Sequence, residues 1–103
     1  MTGKQSGFAG LLVVDLYFPG SQSLKDKRAP LRSITTRLRN AGYAASEVAH
    51  HDARQRAQLA ISIVARGSND VERLLDQAIA MCERPDLDCS TVQRSVLSLN
   101  DLS

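Results

Sequence analysis

A cluster of cations within one short stretch is the chemical feature that stands out in this sequence. Residues 23–41 contain six Lys or Arg and one acid, a local charge of +5, whereas residues 42–103 contain six Arg and nine acids, a charge of −3. A basic element on a mildly acidic body favours an anionic partner. The alternative interpretation is a solvated helix face whose cations pair with surface acids.

Four of these cations are predicted to share one side of a helix. At 100° per residue they lie within about 60° of one another, off the apolar stripe, in a row about 20 Å long. The row consists of Lys25, Arg28, Arg32 and Arg39. Such a row can follow a phosphate backbone without reading bases, so the predicted partner is structured RNA or a ribosomal particle, with no DNA specificity. Arg54 and Arg56 extend it if the connection between the middle strands lies nearby.

Lys27 is a separate case because it falls on the apolar stripe of the same helix, between the directions of Leu31 and Ile34. A cation there must either reach past the start of the helix to water, as a further extension of the basic row, or find a carboxylate. Asp15 and Glu47 are the candidate partners. We expect a structural salt bridge.

The remaining reactive residues do not form a recognisable site. His50, His51 and Asp52 are consecutive, and adjacent residues of a strand point to opposite faces, so no metal site is predicted. Cys82 and Cys89 fall outside any Cys-x-x-Cys pattern and are expected to be small buried hydrophobic residues in a reduced protein.

Hydrophobic periodicity predicts six elements that position these residues. Alternation predicts strands over residues 8–18, 43–50, 58–65 and 88–97. The first helix is predicted to follow an N-cap at Ser23, to bend in its first turn, to run straight from Pro30 and to stop at Gly42. The second helix is predicted to follow an N-cap at Asn69.

The order strand, helix, strand, strand, helix, strand with short loops predicts a ferredoxin-like α+β fold. Right-handed crossovers place both helices on one face of a four-stranded antiparallel sheet. The predicted domain spans residues 8–97, between a flexible N-terminus at 1–7 and a loose C-terminal tail at 98–103.

The second face of this sheet is predicted to be uncovered. Its residues are the aliphatic Leu11, Val13, Ala60 and Val64 beside the polar Asp15, Tyr17, Glu47 and Gln58. An open face with this much aliphatic surface commonly meets another sheet, so a homodimeric protein-interaction module is the alternative prediction. Tyr17 is the one aromatic residue placed on this face, and a ring platform of the RRM type is therefore not predicted.

Enzymatic activity is not predicted, and neither catalytic residues nor a cofactor are assigned. The sequence has no Gly-x-Gly-x-x-Gly or phosphate-loop motif and no suggestive Ser, His and Asp set. Acylphosphatases share the predicted topology and bind phosphate in a Gly-rich loop with an Arg. Here residues 19–23 contain one Gly and no Arg, which argues against a small hydrolase of acyl phosphates.

Three stretches of the sequence are characteristic in combination: Pro-Gly-Ser-Gln-Ser-Leu-Lys-Asp-Lys-Arg at residues 19–28, Leu-Arg-Ser-Ile at 31–34 and Gln-Arg-Ala at 55–57. Together they resemble the YlxP-like family of small bacterial proteins of unknown function. The resemblance also includes Glu47, Val48 and Asp52 and covers residues 10–97. It implies a ferredoxin-like fold, genes that often lie near those of translation initiation and ribosome maturation factors, and no established enzymatic activity. This sequence departs from the family at Pro30, where a regular helix usually continues, and at Arg54, where an aromatic residue is common.

The same reading predicts a cytoplasmic protein without a membrane segment. The apolar run of residues 8–18 contains Asp15 and is shorter than the roughly 20 residues that span a bilayer. No small-residue cleavage site follows it, so a signal peptide is not predicted either.

Overall fold

The computed structural model describes residues 6–102, and its elements follow the predicted order. The strands are β1 (Phe8–Tyr17), β2 (Ala44–Ala49), β3 (Arg56–Ala65) and β4 (Asp88–Ser98), and the helices are α1 (Leu24–Asn40) and α2 (Ser68–Cys82). All strand pairs are antiparallel in the order β2-β3-β1-β4. The predicted ferredoxin-like α+β fold is confirmed.

The N-terminus of α1 forms as predicted, whereas that of α2 does not. The Ser23 hydroxyl accepts a hydrogen bond from the Asp26 amide at 3.0 Å, and the Asp26 carboxylate accepts one from the Gln22 amide at 3.0 Å. In α2 the N-cap is Gly67 and no side chain caps it. The prediction that Asn69 caps α2 was wrong, because the helix begins before this residue and encloses it in the first turn.

Helix α1 runs through Pro30 without interruption, so its regular part begins at Leu24 rather than near the proline. Pro30 removes the amide that would otherwise donate to the Asp26 carbonyl. The helix ends at Asn40 with Ala41 as its C-cap, and Gly42 follows as the predicted stop. This residue has a φ of +98°, in the left-handed region that glycine adopts without a Cβ penalty.

The core lies between the helices and one face of the sheet, and it is mainly aliphatic. The largest fully buried side chains are Leu12, Val14, Leu16, Ile34, Leu38, Leu59, Ile61, Val71, Leu75 and Cys82. Helix α2 lies close against β1, since a Cβ atom added at Gly10 would be 2.6 Å from Val71 Cγ1. A side chain at this strand position would therefore force the Val71 and Leu75 side chains, or the helix that carries them, to shift.

Tyr43 joins the end of α1 to α2 through a buried hydrogen bond. Its phenol donates to the Leu74 carbonyl oxygen at 2.6 Å, and the residue is 4% exposed. Burial raises the pKa of Tyr43 above its ordinary value of 10.0. The phenol therefore remains protonated in the folded chain at a pH where a solvated tyrosine ionises.

The second face of the sheet carries no helix and divides into two halves along β1. Residues directly opposite each other on antiparallel strands share a face, so the ladder pairs define each half. The apolar half, near the start of β1, contains the aliphatic residues Ala9, Leu11, Val13, Ala60, Val64 and Leu97, with the polar residues Ser62, Gln93 and Ser95 among them. The polar half, near its end, consists of Asp15, Tyr17, Arg56, Gln58, Asp88 and Ser90.

Glu47 does not lie on this open face, contrary to the prediction. It pairs with Leu59, because Val48 is an extra residue in β2 at a register shift against β3; the register of the neighbouring Ala49–Gln58 pair would otherwise place Glu47 opposite Ala60, on the open face. Leu59 is fully buried on the helix side of the sheet, and Glu47 shares that side.

The chain after β4 forms a short helical turn. Ser98 is the last residue of the strand, and Leu99–Leu102 form a 3-10 turn whose first amide donates to the Gly7 carbonyl at 3.0 Å. Residues 1–5 of the predicted flexible N-terminus at 1–7, and Ser103, the last residue of the predicted tail, lie outside the described residues. Within the described chain, neither helix has the length and apolar character needed to cross a membrane.

Candidate nucleic-acid interface

The predicted row of cations is exposed along α1. Its members are Lys25, Arg28, Arg32 and Arg39. Within residues 6–102, none of the four forms an ion pair. Each ion pair in this part of the chain joins a carboxylate to a cation outside the row. Those pairs are Glu47 with Lys27, Asp70 with Arg73, Asp86 with Arg84, and both Glu72 and Asp76 with Arg94. The row thus presents positive charge that no described carboxylate neutralises directly.

Arg39, at the C-terminal end of the row, is partly engaged with the sheet. Its Nε and Nη2 atoms donate to the Ala45 carbonyl oxygen at 3.3 and 2.7 Å. Ala45 belongs to β2, an edge strand, and the guanidinium covers part of that edge. Arg28 and Arg32 make no such contacts, so they are the two arginines of the row most available to a ligand.

Lys27 does not extend the row, because its side chain is buried and forms the expected salt bridge. The residue is 2% exposed, and its Nζ atom lies 3.3 Å from Glu47 Oε2. Asp15, the other candidate partner, instead accepts a hydrogen bond from Gln58 Nε2 at 2.9 Å. With its side chain only 3% exposed, the Lys27 ammonium is not available to a ligand at the surface.

The Lys27 ammonium also forms hydrogen bonds with three backbone carbonyls of the connection between β2 and β3. It donates to the carbonyl oxygens of His50 and Arg56 at 3.0 Å each and to that of His51 at 3.5 Å. His50 has a φ of +65°, a left-handed conformation that is uncommon for a residue with a Cβ atom. The ammonium thereby holds this strained connection against the first turns of α1.

Arg54 lies near the N-terminal end of the row, whereas Arg56 belongs to the polar half of the open face, on the side of the sheet away from the helices. Arg54 Nη1 is 3.5 Å from the carbonyl oxygen of Gln22, which precedes the N-cap Ser23, and Arg56 pairs with Tyr17 across the β1–β3 ladder. Both line an open cleft of about 650 Å³ between the β1–α1 loop and the β2–β3 connection. The cleft is lined by Tyr17, Ser21, Gln22, Ala53, Arg54, Gln55 and Arg56.

A family model described as a protein of unknown function (DUF503) matches residues 9–94. The chain belongs to the DUF503 family. The region that matches DUF503 contains both helices, the cationic row and every residue that lines the cleft. A comparison with curated proteins found no match.

In this DUF503 protein the histidines and cysteines form no metal-binding cluster within the described residues. His51 Nε2 lies 3.1 Å from the Glu47 carbonyl oxygen. Cys82 is buried, but Cys89 is only half-buried, and both are free thiols. A hydrogen bond between the two thiols, together with burial, raises the pKa of Cys82, and the same bond lowers the pKa of Cys89.

Sequence reasoning located the cations of this DUF503 chain but missed the cleft. Tyr17 lies on the open sheet face as predicted, whereas no binding role is predicted for Ser21 and Gln22 in the loop after β1. The feature that forms the cleft is the ladder pair of Tyr17 with Arg56. That pair depends on the register between two strands that are distant in the chain, and no local pattern specifies it.

Proposed function

We propose that this DUF503 protein binds structured RNA, free or within a ribosomal particle, through phosphate contacts of α1. The observation that carries the proposal is the exposed row of cations, of which Lys25, Arg28 and Arg32 have neither an ion pair nor a side-chain hydrogen bond within the described residues. Arginine and lysine bind phosphate oxygens through charge-assisted hydrogen bonds and release counterions as they do so. The proposed role is binding rather than catalysis.

Salt dependence is the direct test of phosphate contacts. We expect the affinity of the full chain for a fluorescein-labelled RNA hairpin, measured by fluorescence anisotropy, to fall steeply as salt rises. The double variant Arg28→Ala, Arg32→Ala should bind more weakly. Each lost phosphate contact reduces the slope of log K against log salt by about 1, so the slope should fall by about 2.

A matched control removes the same charge elsewhere. Arg66 and Arg73 are exposed residues before and within α2, so the double variant Arg66→Ala, Arg73→Ala has the same net charge as the row variant. The control should keep the wild-type salt slope. Equal slopes for the two variants would assign binding to net charge alone and would refute the proposal. Cosedimentation of the full chain with ribosomal particles at low and high salt would distinguish a ribosomal partner from free RNA.

The apolar half of the open sheet face supports a second candidate, a homodimer formed through that face. Val64 and Leu97 are 71% and 43% exposed, and both pair with Ala9. Water-exposed aliphatic side chains arranged in one row across three strands are typical of an interface.

Sedimentation velocity tests this candidate. Val13→Lys should convert a dimer into a monomer, whereas Gln58→Lys, in the polar half, should not, and a monomeric wild type would eliminate it.

A further inference from the structure

Tyr17 presents an aromatic ring to solvent at the wall of the cleft. It is 43% exposed, and its phenol has no hydrogen-bond partner among residues 6–102. Asp15 separates it along β1 from the aliphatic residues of the apolar half, so the ring is not simply the end of that patch. An exposed ring of this kind is a surface on which a nucleobase can stack.

The charges that line the cleft fit a phosphate group. Two guanidinium groups line it and no carboxylate does. In the described part of the chain, Arg56 makes no side-chain hydrogen bond or ion pair, and Arg54 makes only the 3.5 Å contact with the Gln22 carbonyl. Guanidinium groups bind phosphate oxygens with two parallel hydrogen bonds, so both arginines can exchange water for such a ligand.

A hydroxyl adds a polar group to the same wall. Ser21 lines the cleft, and its side chain has no hydrogen-bond partner within residues 6–102. The residue is only 6% exposed, yet no buried side-chain oxygen or nitrogen of the described residues lacks a partner, so this hydroxyl is accessible to water and can donate to a ligand in the cleft. The neighbouring cleft of about 490 Å³ also contacts Ser21, but the carboxylates of Asp26 and Asp86 line it and disfavour an anion there.

The two walls of the cleft are held together before any ligand arrives. The Phe18 amide donates to the Gln55 carbonyl oxygen at 2.7 Å, and Gln55 Nε2 donates to the Pro19 carbonyl oxygen at 3.2 Å. The Lys27 ammonium fixes the carbonyl of Arg56 at 3.0 Å. A preorganised site loses less conformational freedom on binding than a mobile loop does.

We propose that this cleft binds one unpaired nucleotide of the RNA, with the base against Tyr17 and the phosphate between Arg54 and Arg56. A base paired within a duplex is stacked on both sides and cannot reach the ring, whereas a base in a loop, bulge or single strand can. The inference rests on the proposed RNA binding, and it makes the partner an RNA that carries an unpaired nucleotide as well as the segment that α1 contacts.

The experiment compares two RNA probes of equal length, a single strand and a blunt duplex, by fluorescence anisotropy with the full chain. The measured quantity is the affinity for the single strand divided by the affinity for the duplex. Stacking on a ring contributes enough that Tyr17→Leu should lower this ratio about tenfold, whereas Tyr17→Phe, which retains the ring, should preserve it. An unchanged ratio in Tyr17→Leu would overturn the inference.

The row variant Arg28→Ala, Arg32→Ala separates this result from the proposed function. If that variant weakens binding of both probes and Tyr17→Leu leaves the ratio unchanged, the α1 proposal stands and the cleft assignment fails. If Tyr17→Leu lowers the ratio and the row variant has no effect, the cleft assignment stands and the α1 proposal fails.

A second measurement tests the cleft directly, and it also applies if the wild-type protein binds neither RNA probe. Adenosine 5′-monophosphate is titrated into the isotope-labelled full chain, and the amide resonances of the protein are followed by NMR. Shifts centred on Tyr17, Ser21 and Arg54 together with binding of the single strand support the inference. Either no shift at these amides, or shifts in a protein that binds neither RNA, would overturn the assignment to an RNA nucleotide.

Discussion

The buried Lys27 ammonium is predicted to stabilise the fold more than its carboxylate partner does. Lys27→Met retains most of the aliphatic stem and removes the charge. The change deprives three carbonyl oxygens of a donor and leaves Glu47, whose side chain is 22% exposed, without its counterion. Breaking a fully buried pair costs about 3–5 kcal/mol, and because Glu47 can still reach water we expect about 2–3 kcal/mol here.

Glu47→Gln removes the opposite charge and should cost less. The ammonium keeps its carbonyl acceptors at 3.0 Å, and the amide oxygen of glutamine can replace the carboxylate as an acceptor. The expected loss is about 1 kcal/mol, the contribution of one hydrogen bond.

Urea denaturation followed by circular dichroism measures both changes as shifts of the midpoint at constant slope. Lys25→Met is the matched control, because Lys25 is exposed on the same helix and has no ion pair within the described residues, and its midpoint should stay near that of the wild type. A loss in Glu47→Gln that equals or exceeds the loss in Lys27→Met would refute the reasoning, because it would mean that the ion pair, and not the set of carbonyls, holds the connection.

Two further predictions concern the core. Gly10→Ala should lower the free energy of unfolding by about 1–3 kcal/mol, because the new methyl would lie 2.6 Å from Val71 Cγ1; a thermal midpoint equal to that of the wild type would contradict the close approach of α2 to β1. The raised pKa of Tyr43 predicts that stability, full below pH 10.0, declines as the pH rises through the folded pKa, since the unfolded phenol ionises first. Urea midpoints measured across this range should fall less in Tyr43→Phe than in the wild type, and parallel declines would assign the effect to other groups.

Local patterns were sufficient to predict most of the fold. Alternation along β1 and helical spacing along α1 depend on residues close in sequence, and so do the Ser23 cap and the Gly42 stop, all of which the structure contains. The salt bridge of Lys27 was predicted because a cation on an apolar stripe needs a partner within reach.

Features that depend on strand register could not be predicted from the sequence. The extra residue Val48 in β2 changes which residues of β3 lie opposite, so Glu47 was assigned to the wrong face. The opposition of Tyr17 and Arg56 has the same origin, because a shift of one residue between β1 and β3 would move either side chain to the other face. The cleft depends on this ladder pair, so only the structure identifies it.

The contact between Arg39 and the Ala45 carbonyl has a consequence for how these molecules can associate. A strand from another molecule adds to a sheet through a row of unoccupied backbone donors and acceptors. β2 has six residues and one carbonyl occupied by the guanidinium, whereas β4 has eleven residues along the opposite edge, and each of the two edge strands contains one extra residue, Val48 in β2 and Val92 in β4. The guanidinium makes β2 the less receptive edge, and strand addition is therefore favoured at β4. A fibre needs addition at both edges of each molecule, so the occupied carbonyl disfavours its growth.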